Sequence, residues 1–183
     1  MSRLIFELGR LEHAKAIQEM RQASSDFLTQ KLGLGHWTAT SRLPSIKERL
    51  GLGDPVNLSR NTIFVASQNG EPVASVVVST FPPGFWKRSY WAEPSAKGLG
   101  VFNLVVLPEL QGMGLGRFVM DGVEGLAMNI ECPAVRLDAY AANPYSNGFY
   151  RHIGYQERAT FDLRGVGLVL YEKVLAIPEQ VRK

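Results

Sequence analysis

The sequence predicts an α/β fold, a mixed β-sheet flanked by helices, and three patterns support this prediction. An almost wholly apolar segment, 100–107, leads through a glycine-rich turn into an amphipathic helix and then into a second apolar segment, 134–139. This is the arrangement of two parallel strands joined by a helix. Two further pairs of strand-like segments are joined by residues typical of hairpin turns. The whole chain, 1–183, is expected to form one domain with one sizeable core.

Each element has its own pattern. The helix after the glycine-rich turn has apolar residues at spacings of three and four, which form one face. Asn69-Gly70 is a strong signal for a hairpin turn, and Arg164–Gly167 is expected to close a second hairpin. The predicted elements, in chain order, are a strand at 3–8, helices at 11–32 and 44–50, a hairpin of 62–66 and 72–80, a strand at 100–107, a helix at 115–130, a strand at 134–139, a hairpin of 155–163 and 168–174, and a polar tail at 178–183.

Composition and charge argue against several classes of function. The net charge of +3 comes without a Lys/Arg block, so we expect no nucleic-acid partner. No apolar run has the length of a membrane span, and the N-terminus lacks the apolar stretch of a signal peptide. The single Cys132 cannot form an internal disulfide, which favours a reducing, cytoplasmic location. We interpret Cys132 as incidental to function.

The glycine-rich turn presents backbone N–H groups at a helix N-terminus, an arrangement that binds phosphate or pyrophosphate. A nucleoside-triphosphate loop needs Lys and then Ser or Thr after its last glycine, but Arg117 follows Gly116. A dinucleotide fingerprint needs a third glycine where this chain has Arg117 or Val119, counted from Gly112 or Gly114. The turn therefore predicts a different phosphate-bearing ligand, unless it is only a strand-to-helix connection.

Two motifs resemble the signatures of the GCN5-related N-acetyltransferases, the GNAT family. The first is Val106-x-Pro108 followed by Gln111-x-x-Gly114-x-Gly116. The second follows Leu137-Asp138-Ala139 and consists of Asn143, Ser146 and the run Phe149–Tyr155. Together they cover roughly 100–155, and two ordered motifs are much more specific than either one alone.

The resemblance implies a mostly antiparallel mixed sheet with one parallel pair, acetyl-CoA as the cofactor, and no metal. It implies that N–H groups of 112–117 hold the pyrophosphate and that the backbone of 104–106 binds the pantetheine arm as an added strand. Arg117 is as readily an ordinary solvated residue, and Asn143 has the alternative role of a turn residue. The cofactor-binding residues implied are Leu104, Val105, Val106, Gln111, Gly112, Met113, Gly114, Leu115, Gly116, Arg117, Asn143, Asn147, Tyr150 and Arg151.

Tyr150 is the predicted catalytic residue. Attack of an amine on a thioester expels a thiolate, which must gain a proton. A thiol has a pKa near 8.5 and a phenol near 10, so transfer from tyrosine is close to balanced. By the resemblance, Tyr150 occupies the position of the general acid. The alternative is a half-buried aromatic that packs beside Phe149.

The general base is less defined, because the strand before the glycine-rich turn contains no acid. Asp138 and Glu93 are candidates, as are a water chain or an acceptor amine of low pKa. Acceptor choice is expected to depend on two loops, 33–37 and the aromatic-rich 81–91. The aromatic residues of 81–91 either form a lid over the acceptor or cover the core.

The predicted function is transfer of an acetyl group from acetyl-CoA to a primary amine of a small molecule, by direct attack in a ternary complex. Aminoglycosides, polyamines, amino acids, peptide N-termini, protein lysines and hydrophobic amines all remain open as acceptors. One alternative is a non-catalytic acyl-CoA sensor or regulatory module, and another is a nucleic-acid binder that stacks bases on the aromatic loop. The resemblance also leaves a homodimer open.

Overall fold

The computed structural model describes residues 3–33 and 42–176, and these form a seven-stranded sheet with helices on both faces. Residues 34–37 of the first predicted acceptor loop and the predicted tail lie outside the described residues. The elements are β1 Leu4–Leu8, α1 Ala14–Leu32, α2 Leu43–Leu52, β2 Thr62–Gln68, β3 Glu71–Ser79, β4 Gly98–Val106, α3 Leu115–Asn129, β5 Ala134–Tyr140, α4 Pro144–His152, β6 Gln156–Leu163 and β7 Val166–Val174.

The strand order is β1-β2-β3-β4-β5-β7-β6. Among the described strands, only β4 and β5 pair in parallel, and every other neighbouring pair is antiparallel. The predicted fold class, with its single parallel pair, is therefore confirmed. Within the described ranges, no helix is both long and apolar enough to cross a membrane.

Both hairpins turn through two residues with positive φ. Asn69 and Gly70 have φ of 54° and 85°, as the Asn-Gly signal predicts. Arg164 and Gly165 adopt the same conformation, with φ of 55° and 84°. The second turn is shorter than the predicted four residues, because Val166 already pairs with β6.

Two hydrophobic cores lie on opposite faces of the sheet. On one face, α3 buries Val119 and Val123 against the sheet, and Gly122 lies so close to the Phe6 ring that a Cβ there would be 2.6 Å from it. This close approach offsets the cost of glycine inside a helix, about 1 kcal/mol relative to alanine. On the other face, α1 and α2 bury Ile17 and Ile46.

A β-bulge in β4 changes which side chains face each core. Asn103 has a φ of 49°, and the pairing register with β3 shifts between Ser75 and Val77. Before the bulge, Val101 packs on the α3 face, whereas after it Leu104 does so. One extra residue thus reverses the normal alternation of the strand.

The parallel pair is incomplete because β4 and β5 separate part-way along. Their last paired residues are Val101 and Leu137, while β5 stays paired with β7 through Tyr140. The segment 102–106 of β4 therefore has no strand partner on its β5 side within the part of the chain that the structure describes. The opening between the two strands positions the candidate site.

Candidate active site

A cavity of about 1000 Å³ lies where β4 and β5 separate. It extends from the glycine-rich turn, along the unpaired edge of β4, to the face of the sheet that α1 covers. Its walls come from α1, β4, the N-terminus of α3, the end of β5, and α4. Among the predicted residues, the lining includes Leu104, Val105, Val106, Gln111, Gly112, Gly114, Gly116, Arg117, Asn143 and Tyr150.

The segment 111–117, here called the phosphate cradle, has the geometry of an anion site. Gly112 and Gly114 have φ of 79° and 83°, and a Cβ at either position would meet no atom within 4 Å. The first N–H to bond back within the helix is that of Phe118, which donates to the Gly114 carbonyl at 3.0 Å. The N–H groups before it have no acceptor in the helix and carry the positive end of its dipole. The cradle therefore fits a pyrophosphate.

The side chains of the cradle differ in their contacts and exposure. The Gln111 side chain donates to the Val106 carbonyl at 3.3 Å and so ties the turn to β4. Arg117 is exposed and lies 3.8 Å from Asp121, a loose pair that leaves it able to reach an anion. Met113 points to solvent and Leu115 into the core, and neither lines the cavity.

Asn143 caps α4 at the cavity wall. Its Oδ1 accepts from the backbone N–H groups of Tyr145 and Ser146 at 3.1 and 3.3 Å. Asn143 therefore makes the turn and also lines the cavity, while its contact with a cofactor stays a prediction. Among the described residues its side-chain amide nitrogen has no hydrogen-bond partner, so it can donate to a ligand.

The structure does not bring Asn147 and Arg151 into the cavity. The buried Asn147 amide donates to three carbonyls at the β5–α4 junction, at 2.7 to 3.1 Å, and accepts from the Tyr171 hydroxyl. It therefore holds that junction together. The Arg151 guanidinium is exposed and pairs with Glu157 on β6, with Nε 2.6 Å from its carboxylate.

Tyr150 lies on α4 at the cavity wall and is 7% exposed. Its ring contacts those of Phe149, Tyr155 and Tyr171, with centroids 5.1 to 5.9 Å apart. Burial, and next the negative charge of Asp138, raise the pKa of Tyr150 well above its usual value. The phenol therefore stays protonated at neutral pH.

Asp138 approaches the cavity from the other face of the sheet. Its neighbours Leu137 and Ala139 pack in the same core as Tyr150, so strand alternation points Asp138 the opposite way. There its Oδ2 accepts a hydrogen bond from Nε1 of Trp86 at 3.0 Å. Burial raises the pKa of Asp138, against the lowering effect of the Trp86 bond. It is the single acid among the described residues of the lining.

Glu93, the other candidate base, is exposed and lies outside the cavity lining. Its backbone carbonyl accepts from Arg136 at 3.0 Å, so its position serves to anchor the loop. Cys132 is buried and also lies outside this lining, and burial raises the pKa of its thiol. Neither residue is placed to take part in chemistry here.

The model of the Acetyltransferase (GNAT) family matches residues 20–155 of the chain. The chain belongs to the GNAT acetyltransferase family. The resemblance and the acetyltransferase class predicted from the two motifs are thereby confirmed.

Individual relatives agree with this family. The uncharacterized N-acetyltransferase YesJ of Bacillus subtilis is 25% identical over 146 residues, which are 79% of this chain and 77% of its own. The fold is similar to that of PaiA N-acetyltransferase from Thermoplasma acidophilum in complex with coenzyme A, with a TM-score of 0.71, 11% identity, and coverage of 94% of this chain and 99% of that one. It is also similar to yncA from Salmonella typhimurium with its cofactor acetyl-CoA, with a TM-score of 0.66, 16% identity, and 96% of both chains covered.

In this GNAT protein, the aromatic loop 81–91 both covers the core and reaches the site. Trp86 and Trp91 are 5% and 6% exposed and pack edge to face, so they are core residues. Trp86 also stacks on Phe102, which lines the cavity, and bonds Asp138. Of the two roles weighed from the sequence, the structure shows the core one, because no described residue of 81–91 lines the cavity and Trp86 reaches the site only through Phe102 and Asp138.

Buried charges hold the segment that follows the aromatic loop. Glu172, which is fully buried, accepts from Arg136 at 2.9 Å and from Arg158 at 2.8 Å, and also from the backbone N–H of Ala92. The Arg136 guanidinium lies over the Trp91 ring, 4.8 Å from its centroid. These contacts hold Trp91, against which Trp86 packs.

Most of the side chains that form the cavity wall beyond the β4–β5 opening were not predicted from the sequence as site residues. We call this region the acceptor chamber. Of its members, only Asp138 stood out in the sequence, because the others lie on separate elements and carry no motif. The acceptor chamber comprises Ser24, Phe27, Leu28, Phe102, Asp138, Tyr140 and Tyr145.

Proposed function

We propose that this GNAT protein, acting as a single domain, transfers an acetyl group from acetyl-CoA to the primary amine of a small molecule. One observation carries the proposal: a single cavity joins the phosphate cradle to both Asp138 and Tyr150. The acetyl group and the amine would therefore meet where β4 and β5 separate, with a base on one side and an acid on the other.

The chain's own backbone would hold acetyl-CoA, which supplies the acetyl thioester. The N–H groups of the cradle suit its pyrophosphate, with Arg117 able to add a charge. The unpaired edge at 104–106 suits the pantetheine amides, which can pair with it as a strand would. The free amide nitrogen of Asn143 can donate from the opposite wall.

Asp138 is proposed as the general base. An unperturbed amine, with a pKa near 10, is mostly protonated at pH 7 and cannot attack. Asp138 first takes one proton from the ammonium group and releases it to solvent, so that the neutral amine can attack. It then accepts the second proton, which the nitrogen loses as its bond to the acetyl carbon forms. Burial helps this role, because a raised pKa makes the carboxylate a stronger base.

Tyr150 is proposed as the general acid, donating its proton to the sulfur as the carbon–sulfur bond breaks. Its raised pKa makes it a weaker acid than an exposed phenol. Burial is the largest cause of this increase in pKa, and the negative charge of Asp138 causes part of it. Once Asp138 is protonated, the contribution of its negative charge disappears and Tyr150 becomes a better donor. Solvent then returns the proton from Asp138 to Tyr150.

The transfer is proposed to be direct, in a ternary complex, because Cys132 lies outside the cavity. A nucleic-acid partner is disfavoured because Trp86 and Trp91, the rings on which bases would stack, are buried. The protein is proposed to act in the cytoplasm.

Calorimetric titration with acetyl-CoA, with ATP and NAD as controls, tests the first half of the proposal. We expect saturable binding of acetyl-CoA alone. Thiol release in the presence of a broad amine panel tests the second half. Acetyl-CoA binding without thiol release from any amine would instead support the non-catalytic sensor, and binding of ATP or NAD would show that the cradle is misassigned.

A further inference from the structure

Among the residues that the structure describes, the acceptor chamber offers a single carboxyl group. Asp138 is the single acid among the described residues that line the cavity, and the basic ones, Arg117 and His152, belong to α3 and α4. A dication or polycation would therefore place a second positive charge in the chamber without a counter-charge, which is costly away from water.

The rest of the chamber is apolar and aromatic. The Phe27 ring lies against that of Tyr145, with centroids 6.1 Å apart, and their planes are tilted by 52°. On β4, Phe102 is held in place by stacking on Trp86, with centroids 5.4 Å apart and planes 24° apart. Rings held in this way favour a flat apolar group, because aromatic rings pair in offset or edge-to-face geometry.

The proposed base, Asp138, is also linked to these aromatic rings through Trp86. The Trp86 ring that stacks on Phe102 is the one whose Nε1 bonds Asp138 at 3.0 Å. One indole therefore contacts both the carboxylate and the Phe102 ring. An acceptor whose amine pairs with Asp138 has its carbon skeleton directed along aromatic surface.

We infer that the acceptor is a small monoamine with an aromatic or similarly flat apolar body, as in 2-phenylethylamine. Polyamines, aminoglycosides and lysine-rich peptides do not match the single charge of the chamber. This inference rests on the proposed function, since it assigns the second substrate of that reaction.

Matched amines separate the contributions of charge and ring. Thiol release is measured with 2-phenylethylamine, with butylamine, which has one charge and no ring, and with p-xylylenediamine, which has a ring and two charges. We expect kcat/KM for 2-phenylethylamine to exceed both of the others at least about tenfold, a difference typical of one well-formed apolar contact. Spermidine, kanamycin or a lysine peptide reacting as well as 2-phenylethylamine would overturn the inference while leaving acetyl transfer intact.

Calorimetry on the protein saturated with coenzyme A gives a second readout that does not depend on turnover. The same order of amine affinities is expected there, and an equal or reversed order would overturn the inference. If the order holds but no amine is acetylated, it is the proposed function that fails. Phe27→Leu, which keeps apolar bulk on α1, should reduce the preference for 2-phenylethylamine over butylamine, and Leu32→Ala, on the same helix and outside the lining, should not.

Discussion

The phosphate cradle and the acceptor chamber form the two ends of one cavity, yet they are built in opposite ways. The cradle is one continuous segment, 111–117, and it acts through backbone N–H groups and two left-handed glycines. The chamber takes side chains from α1, β4, β5 and α4. The first end therefore depends on backbone shape and charge, while the second depends on the identity of individual side chains. Substitutions should show this difference directly.

The largest effect is expected at the chamber end, from Asp138→Asn. Loss of a general base typically lowers turnover by about 10²- to 10⁴-fold, and the acidic limb of the pH–rate profile should disappear. In the wild type, activity should fall as the pH drops through the pKa of Asp138, which burial raises above its ordinary value of 3.8.

The matched control for Asp138→Asn is Glu93→Gln, at the exposed candidate base, which should leave the pH–rate profile unchanged. Because the folded pKa of Asp138 is raised, its ionised form is disfavoured in the folded state, and that cost appears as the pH rises through the pKa. The melting temperature of Asp138→Asn at neutral pH should thus be no lower than that of the wild type. An intact acidic limb in this variant would remove Asp138 from the mechanism.

The next largest effect is expected from Tyr150→Phe, at the residue where the phosphate cradle and the acceptor chamber meet. Turnover should fall about 10²-fold, near the lower end for a general acid, because a thiolate is a fair leaving group. Affinity for acetyl-CoA, measured by calorimetry, should change little, because the substitution removes only the hydroxyl. Unchanged turnover would mean that Tyr150 is simply a packing residue beside Phe149.

At the cradle end, Gly114→Asp should weaken acetyl-CoA binding about 10- to 100-fold, since a charge near a phosphate is repelled by up to about 4 kcal/mol at 4 Å in a partly buried setting. Gly114→Asn is the control, because Asn has nearly the same shape and also tolerates positive φ. Calorimetry should show a much smaller loss for Asn. Equal losses would indicate that shape alone matters at the cradle.

The smallest effect is expected from Trp86→Phe, which removes the hydrogen bond to Asp138 and keeps an aromatic ring. Since that bond lowers the pKa of Asp138, its loss should move the acidic limb of the pH–rate profile to higher pH, by about one unit for a bond to a charged group. Trp91→Phe removes a neighbouring indole that makes no bond to Asp138. A shift of the same size in that variant would point to general loosening of the loop.

The same contrast explains how much the sequence could predict. The cradle and the strand–helix–strand unit were predictable because their geometry is encoded in neighbouring residues. The chamber was not, because it depends on which distant elements meet, and the bulge at Asn103 has no clear signal in an otherwise apolar strand. Asn147 and Arg151 show the limit of a family resemblance: it implied that both bind the cofactor, but hydrogen bonds to the β5–α4 junction and to Glu157 engage their side chains elsewhere.

The early separation of β4 and β5 also has a thermodynamic consequence. On the β5 side of 102–106, the sheet has a row of backbone groups that no described strand pairs with, and a bound pantetheine arm would complete it. Acetyl-CoA would then act as a removable structural part of the protein as well as its reagent. A ligand that binds only the folded state adds about 2.7 kcal/mol of stability at a hundred times its Kd, so resistance to unfolding and proteolysis should follow the supply of acetyl-CoA.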